Sequence, residues 1–96
     1  MDPMKRLDLI VSERELDRLC EALLKAGAPG YSVLRHVTGR GHAGQVSEGM
    51  EFSGFGANAH VIVFCQRDEL EAIRAAINPL LEYYGGVGFV SEANPL

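Results

Sequence analysis

Apolar and polar residues alternate along Lys5 to Val11, KRLDLIV. Leu7, Leu9 and Val11 fall on one face and Arg6, Asp8 and Ile10 on the other, which predicts a first β-strand with its second face partly covered. Ser12 stands three residues before Glu15, the spacing of a capping box, so a helix is expected to start there. Its apolar positions Leu16, Leu19, Cys20, Leu23 and Leu24 recur at helical spacing and form one stripe. Glu13, Asp17, Arg18, Glu21 and Lys25 are left for solvent. Gly27 is placed to close the helix in the left-handed cap position, with Pro29 two residues on.

Gly30 opens a second strand, YSVLRHVT, mixed on both faces: Tyr31, Val33, Arg35 and Val37 on one, Ser32, Leu34, His36 and Thr38 on the other. Such a pattern fits a strand partly covered by another subunit or a ligand. A long glycine-rich stretch follows. Asn58 to Gln66, NAHVIVFCQ, then gives an unbroken apolar run from Val61 to Cys65, the pattern of a central strand covered on both faces. Asp68 with Glu71 repeats the capping spacing ahead of a second helical stripe, Leu70, Ile73, Ala76, Ile77, Leu80 and Leu81. Pro79 is expected to kink that helix or start a new turn near Asn78. After Gly85, Gly86 and Gly88, VGFVSE makes a short last strand. The order strand, helix, strand, strand, helix, strand predicts an α+β ferredoxin-like sandwich, a four-stranded antiparallel sheet with two helices on one face. That fold hosts many functions, so the site has to decide among them.

Gly39 to Ala57, GRGHAGQVSEGMEFSGFGA, carries six of the chain's eleven glycines. Its backbone is free to adopt positive φ and its N–H groups lie uncovered, so the main chain could grip an anion or phosphate. A connection this long is functional or disordered more often than it is a plain link. Met50, Phe52 and Phe55 within it read either as docking residues or as anchors. Arg40, between two glycines, is either a solvated loop arginine or the counter-charge of a bound anion.

At 96 residues the chain reads as one domain, small enough to gain from association with copies of itself. The net charge of −4 and the scatter of nine Lys and Arg among thirteen Asp and Glu leave no stripe for tracking phosphates, so a nucleic-acid partner is not expected. No apolar run reaches the roughly 18 residues of a membrane span, and MDPMKRLDLIV lacks the features of a secretory signal, so the expected location is the cytoplasm. Cys20 and Cys65 stand apart, outside any C-x-x-C spacing, and read as reduced core residues. His36, His42 and His60 show no metal-ligand spacing. No catalytic constellation is visible, and no enzymatic activity is expected.

AGAPGYSVLRHVTGRG leading into the glycine loop, then HVIVFC, then YYGGVGFVSEA, resembles the PII signalling superfamily over nearly the whole chain. The likeness is to its PII-like branch, the carboxysome-associated and bicarbonate-transporter-associated members. It implies a homotrimer that binds adenine nucleotides in clefts between subunits. It also implies a flexible T-loop over about 39–57 that reports the ligand to a protein target, such as a bicarbonate transporter or carbon-concentrating component. Carried over by position, Ser32 matches the hydroxyl residue facing the adenine, and Gly39, Arg40 and Gly41 the loop base that cradles the phosphates. Phe64 lies near the strand position whose backbone meets the base, and Gly85 and Gly86 match the remnant of a second phosphate loop. The glycine pair is equally explicable as a turn after Tyr84. Several family features are missing. The loop before the last strand is cut to YGGVG, no basic pair follows that strand, the T-loop has no tyrosine, and Ala43 and Val46 replace arginines of the transporter-associated relatives. With so few cations, AMP or ADP is favoured over ATP as regulatory ligand, with bicarbonate as an implied co-ligand and no obligatory cofactor.

Three other readings share the fold or size. An acylphosphatase needs a phosphate-cradling loop with an arginine straight after the first strand, where Ser12 to Leu16 instead starts a helix. A CutA-type metal-responsive trimer would depend on metal, which the scattered histidines do not support. An RNA-recognition module would show stacking aromatics on its central strands, where Phe64 stands alone.

Overall fold

The computed structural model describes residues 3–39 and 57–96. Strand β1 (Met4–Ser12) leads through a 3-10 turn (Glu13–Glu15) into helix α1 (Leu16–Lys25), then β2 (Ser32–Val37) and β3 (Asn58–Cys65). A second 3-10 turn (Arg67–Glu69) opens α2 (Leu70–Tyr84), and β4 (Val87–Ala93) ends the order. The sheet runs β2-β3-β1-β4 with every neighbouring pair antiparallel. This is the ferredoxin-like sandwich expected from the order of elements.

The core forms where the period-two and period-3.6 stripes meet. Leu7, Leu9 and Val11 of β1 and Ala59, Val61, Val63 and Cys65 of β3 are buried against Leu16, Leu19, Cys20 and Leu23 of α1 and Leu70, Ile73 and Ile77 of α2. Both cysteines are free and buried, and desolvation raises the pKa of each thiol, as expected of core residues. Gly27, at φ 97°, closes α1 as expected. The Ala28 N–H donates to the Leu23 carbonyl and the Gly27 N–H to the Leu24 carbonyl, the two bonds of a Schellman motif.

Three local expectations need correction. Ser12 Oγ accepts the Arg14 N–H at 3.3 Å, but Glu15 does not reach back and pairs with Arg18 instead. The first turn is accordingly 3-10 and the α-helix proper begins at Leu16. At the second helix the capping box is Gln66 with Glu69, not Asp68 with Glu71, and the Gln66 N–H donates to Glu69 Oε1 at 2.6 Å. Helix α2 also continues through Pro79 without a new turn at Asn78. Pro79 and Ala75 are both exposed, so the carbonyl that loses its partner can take water.

The sheet face away from the helices is arranged in transverse rows. Leu34, His60, Ile10 and Val87 form one, Ser32, Ile62, Asp8 and Phe89 the next, and Phe64, Arg6 and Ser91 the third. Strand β3 is central, as its apolar run predicts, yet in the single chain only its helix side is covered. Leu34, Phe64, Val87 and Phe89 stand 49, 46, 49 and 66 % exposed. Of the loop expected over 39–57, residues 40–56 lie outside the described residues, Arg40 and Gly41 among them.

Candidate functional site

The glycine loop springs from an irregularity in β2. Leu34 pairs with His60 but Val37 with Asn58, so β2 carries one extra residue, a β-bulge. His36 sits in it at φ 60°, the one positive value among the described non-glycine residues. The bulge ends the strict alternation, which is why the expected grouping of His36 and Thr38 with Ser32 and Leu34 stops there. Glu13 closes over this point. Its Oε2 accepts the His36 N–H at 2.7 Å and lies 3.1 Å from His36 Nδ1, while Oε1 is 3.6 Å from Arg35 Nη1. The Glu13 N–H donates to the Ala57 carbonyl at 3.2 Å, across from where the chain returns. Gly39 follows two residues after the end of β2.

Gly85 and Gly86 connect α2 to β4 at φ 88° and 124°. The Gly85 N–H donates to the Leu81 carbonyl at 2.9 Å and closes the helix. A Cβ on Gly86 would stand 2.8 Å from the Ile10 carbonyl oxygen and 3.0 Å from Val11 Cγ1. The pair therefore lies over the end of β1 nearest the loop root.

Ser32 and Phe64 occupy the open face of the sheet, farther from the root. Ser32 pairs with Ile62, two residues before Phe64 on β3, and the Arg6 guanidinium lies 5.8 Å from the Phe64 ring centroid. Arg6 Nη2 also bonds Asp8 Oδ1 at 2.9 Å, and His60 Nε2 lies 2.8 Å from the same oxygen. The Arg6 hydrogen bond holds the Asp8 carboxyl below its usual pKa, against partial desolvation and with help from His60. A lowered folded value adds stability above the unfolded pKa of about 3.9, and that contribution is lost as pH falls through the folded value. Asp8→Asn is expected to flatten the fall of melting temperature with pH below about 4. An unchanged slope would remove this pairing from the acid response.

Gly39, Gly85 and Gly86 thus share one end of the sheet, at its two opposite edges, separated by about 14 Å at the usual strand spacing. Ser32 stands about 23 Å from Gly39 at strand rise. No single copy gathers all five of these residues around one small ligand. Among the described residues no three His, Cys, Asp or Glu side chains come together to hold a metal ion, and no helix is long and apolar enough to cross a membrane.

The model of the nitrogen regulatory protein P-II family matches residues 4–95. The chain belongs to this family. No curated protein is a significant match to this P-II family member, but solved structures share its fold. CPII, a nitrogen regulatory PII-like protein from Thiomonas intermedia K12 bound to ADP, AMP and bicarbonate, is 24% identical at a TM-score of 0.80, covering 96% of this chain and 87% of that one. CPII bound to ADP and bicarbonate is 22% identical at a TM-score of 0.78, with the same shares covered. Its apo form is 21% identical at 0.74, covering 98% of this chain and 96% of that one.

Two features of this P-II family member escaped the sequence reading. Glu13 was assigned to solvent with the helix's wet face, yet its side chain is only 18% exposed. No periodic signal marks it, because its partners lie 22, 23 and 44 residues away and meet only through the sheet. The Arg6, Asp8 and His60 cluster is hidden for the same reason. Only the cross-strand register brings His60 to Asp8.

Proposed function

We propose that the chain is a non-enzymatic PII-like regulator in the cytoplasm. It assembles as a homotrimer, binds AMP or ADP in preference to ATP in clefts between copies, and acts on a protein target through residues 39–57. Inorganic carbon uptake or metabolism is the process proposed, with bicarbonate as co-ligand. The observation that carries this reading is the division of the site. Gly39 and the Gly85–Gly86 pair stand at opposite edges of one end of the sheet while Ser32 and Phe64 lie on its open face, an arrangement a ligand can bridge only where copies meet. Membership of the P-II family and the ADP, AMP and bicarbonate bound to CPII support the choice of ligand.

The phosphate end is made of main chain. Glycine N–H groups can approach an anion closely, and Arg40 supplies the positive charge. A ligand that binds only the folded state stabilises it by about 2.7 kcal/mol at a hundred times its Kd. ADP or AMP should therefore raise the melting temperature by about 10–20 °C at that concentration, ATP by less, and bicarbonate should add to the shift. Arg40→Ala should weaken ADP or AMP binding by about 1.5–3 kcal/mol, the scale of a hydrogen bond to a charged group. An equal calorimetric affinity in the variant removes Arg40 from the site. A flat melting temperature with every adenosine phosphate ends the nucleotide reading.

A further inference from the structure

We propose that Glu13 is a positioning residue for the loop root. It holds the β2 bulge in register and so fixes the direction in which Gly39 leaves the sheet. The proposal rests on the nucleotide reading for its consequence, since Gly39 is there the first residue of the phosphate cradle, but its geometry stands independently. A bulge takes its extra residue out of the strand ladder, which leaves the His36 N–H without a ladder partner. The Glu13 carboxylate accepts from that N–H at 2.7 Å, a charge-assisted bond. The same oxygen lies 3.1 Å from His36 Nδ1, and the other faces the Arg35 guanidinium. One side chain thus engages both residues of the bulge.

His36 has a reason to leave this conformation. A non-glycine residue at φ 60° sits in the small left-handed region, which persists only where its surroundings hold it. If the bulge is lost and β2 runs on in the register of Leu34 with His60, every side chain beyond it changes face. Val37, Thr38 and Gly39 would all turn over, and the Gly39 N–H with them. Glu13 opposes that change from a fixed base. It follows Ser12, which pairs with Asn58, and its own N–H is bonded to the Ala57 carbonyl. The outgoing strand, the returning strand and the end of β1 are joined through this one residue.

The test uses the full chain with Glu13→Ala, Glu13→Asp and Glu13→Gln, read by amide hydrogen exchange and by ADP calorimetry. Aspartate keeps the charge but is one methylene too short. Glutamine keeps an oxygen that can accept the His36 N–H. Alanine and aspartate are expected to speed exchange at the His36 amide at least tenfold, leave Val61 and Val63 protected, and weaken ADP binding about tenfold. Glutamine should restore most of both. If the alanine variant does not fold, the aspartate variant carries the test. Unchanged exchange at His36 overturns the proposal. So does faster exchange spread evenly through the core, which would make Glu13 a general stabiliser. If the wild type binds no ADP or AMP, the nucleotide reading fails, and the exchange data still decide whether Glu13 holds the bulge.

Discussion

Gly86→Ala is expected to lower the melting temperature by about 8–40 °C, at the 4–8 °C per kcal/mol usual for a domain of this size. Two costs add. At φ 124° any side chain is strained, by roughly 1–2 kcal/mol. The new Cβ would also stand 2.8 Å from the Ile10 carbonyl oxygen, a main-chain atom of a central strand that cannot swing aside. Forcing an extra carbon into such a place costs about 1–3 kcal/mol. Gly27→Ala separates the two. Gly27 has a comparable φ of 97° but nothing within 4 Å of its Cβ position, so only the first cost applies and a fall of about 4–16 °C is expected. Scanning calorimetry on the pair decides the point. If both variants melt together, the close approach of Gly86 to β1 contributes nothing. This need for glycine at 86 exists without any ligand, so the residue's identity alone is no argument for a phosphate site there.

The fold was legible because each element carries its own local signal. The alternation of Leu7, Leu9 and Val11, the stripe from Leu16 to Leu23 and the left-handed stop at Gly27 each specify one element without reference to the rest. Their order then leaves few ways to close the sheet. What failed to read was set by competition among short-range partners or by long-range contact. Glu15 has both Ser12 and Arg18 within reach, and the spacing rule named only the first. Gln66 caps α2 from a position the acidic pair at 68 and 71 obscured. The new turn considered at Asn78 does not form, since Pro79 lies on the exposed side of a helix that runs on to Tyr84, where the freed carbonyl can take water. Of the proposed site, Ser32, Gly39, Phe64, Gly85 and Gly86 were candidates from family likeness alone. Their division between one end of the sheet and its open face came only with the register. The bulge at His36 is equally invisible in YSVLRHVT, because the extra residue shows itself only against the strand it pairs with.

Phe89→Glu is expected to convert the proposed trimer to monomer at micromolar concentration while leaving the protomer folded. Phe89 is the most exposed of the large apolar side chains that the register places on the open face, and it lies outside the core. Val87 stands beside it on β4, Phe64 and Leu34 lie across the same face on β3 and β2, and Ile10 and Ile62 are partly covered between them. The Arg6 and Asp8 charges of that face are paired with each other, and His60 is bonded to Asp8. A second copy can therefore cover them without burying a lone charge. Glutamate at 89 breaks that arrangement. It removes the aromatic contact and sets a second carboxylate directly opposite Asp8 on the neighbouring strand. Losing a central aromatic costs an interface about 2 kcal/mol or more, and a closed trimer repeats the loss at three interfaces, about 6 kcal/mol in all. That shifts assembly by more than four orders of magnitude at 1.4 kcal/mol per factor of ten. Tyr83→Glu serves as control, since Tyr83 is 80% exposed near the end of α2, outside the sheet, and should leave the mass unchanged. Sedimentation velocity reads all three proteins. A wild type that sediments as a monomer, or a Phe89→Glu variant that remains a trimer, rules out the open face as the surface joining copies. The cleft between copies would then lose its physical basis, because Ser32 and Phe64 belong to that same face.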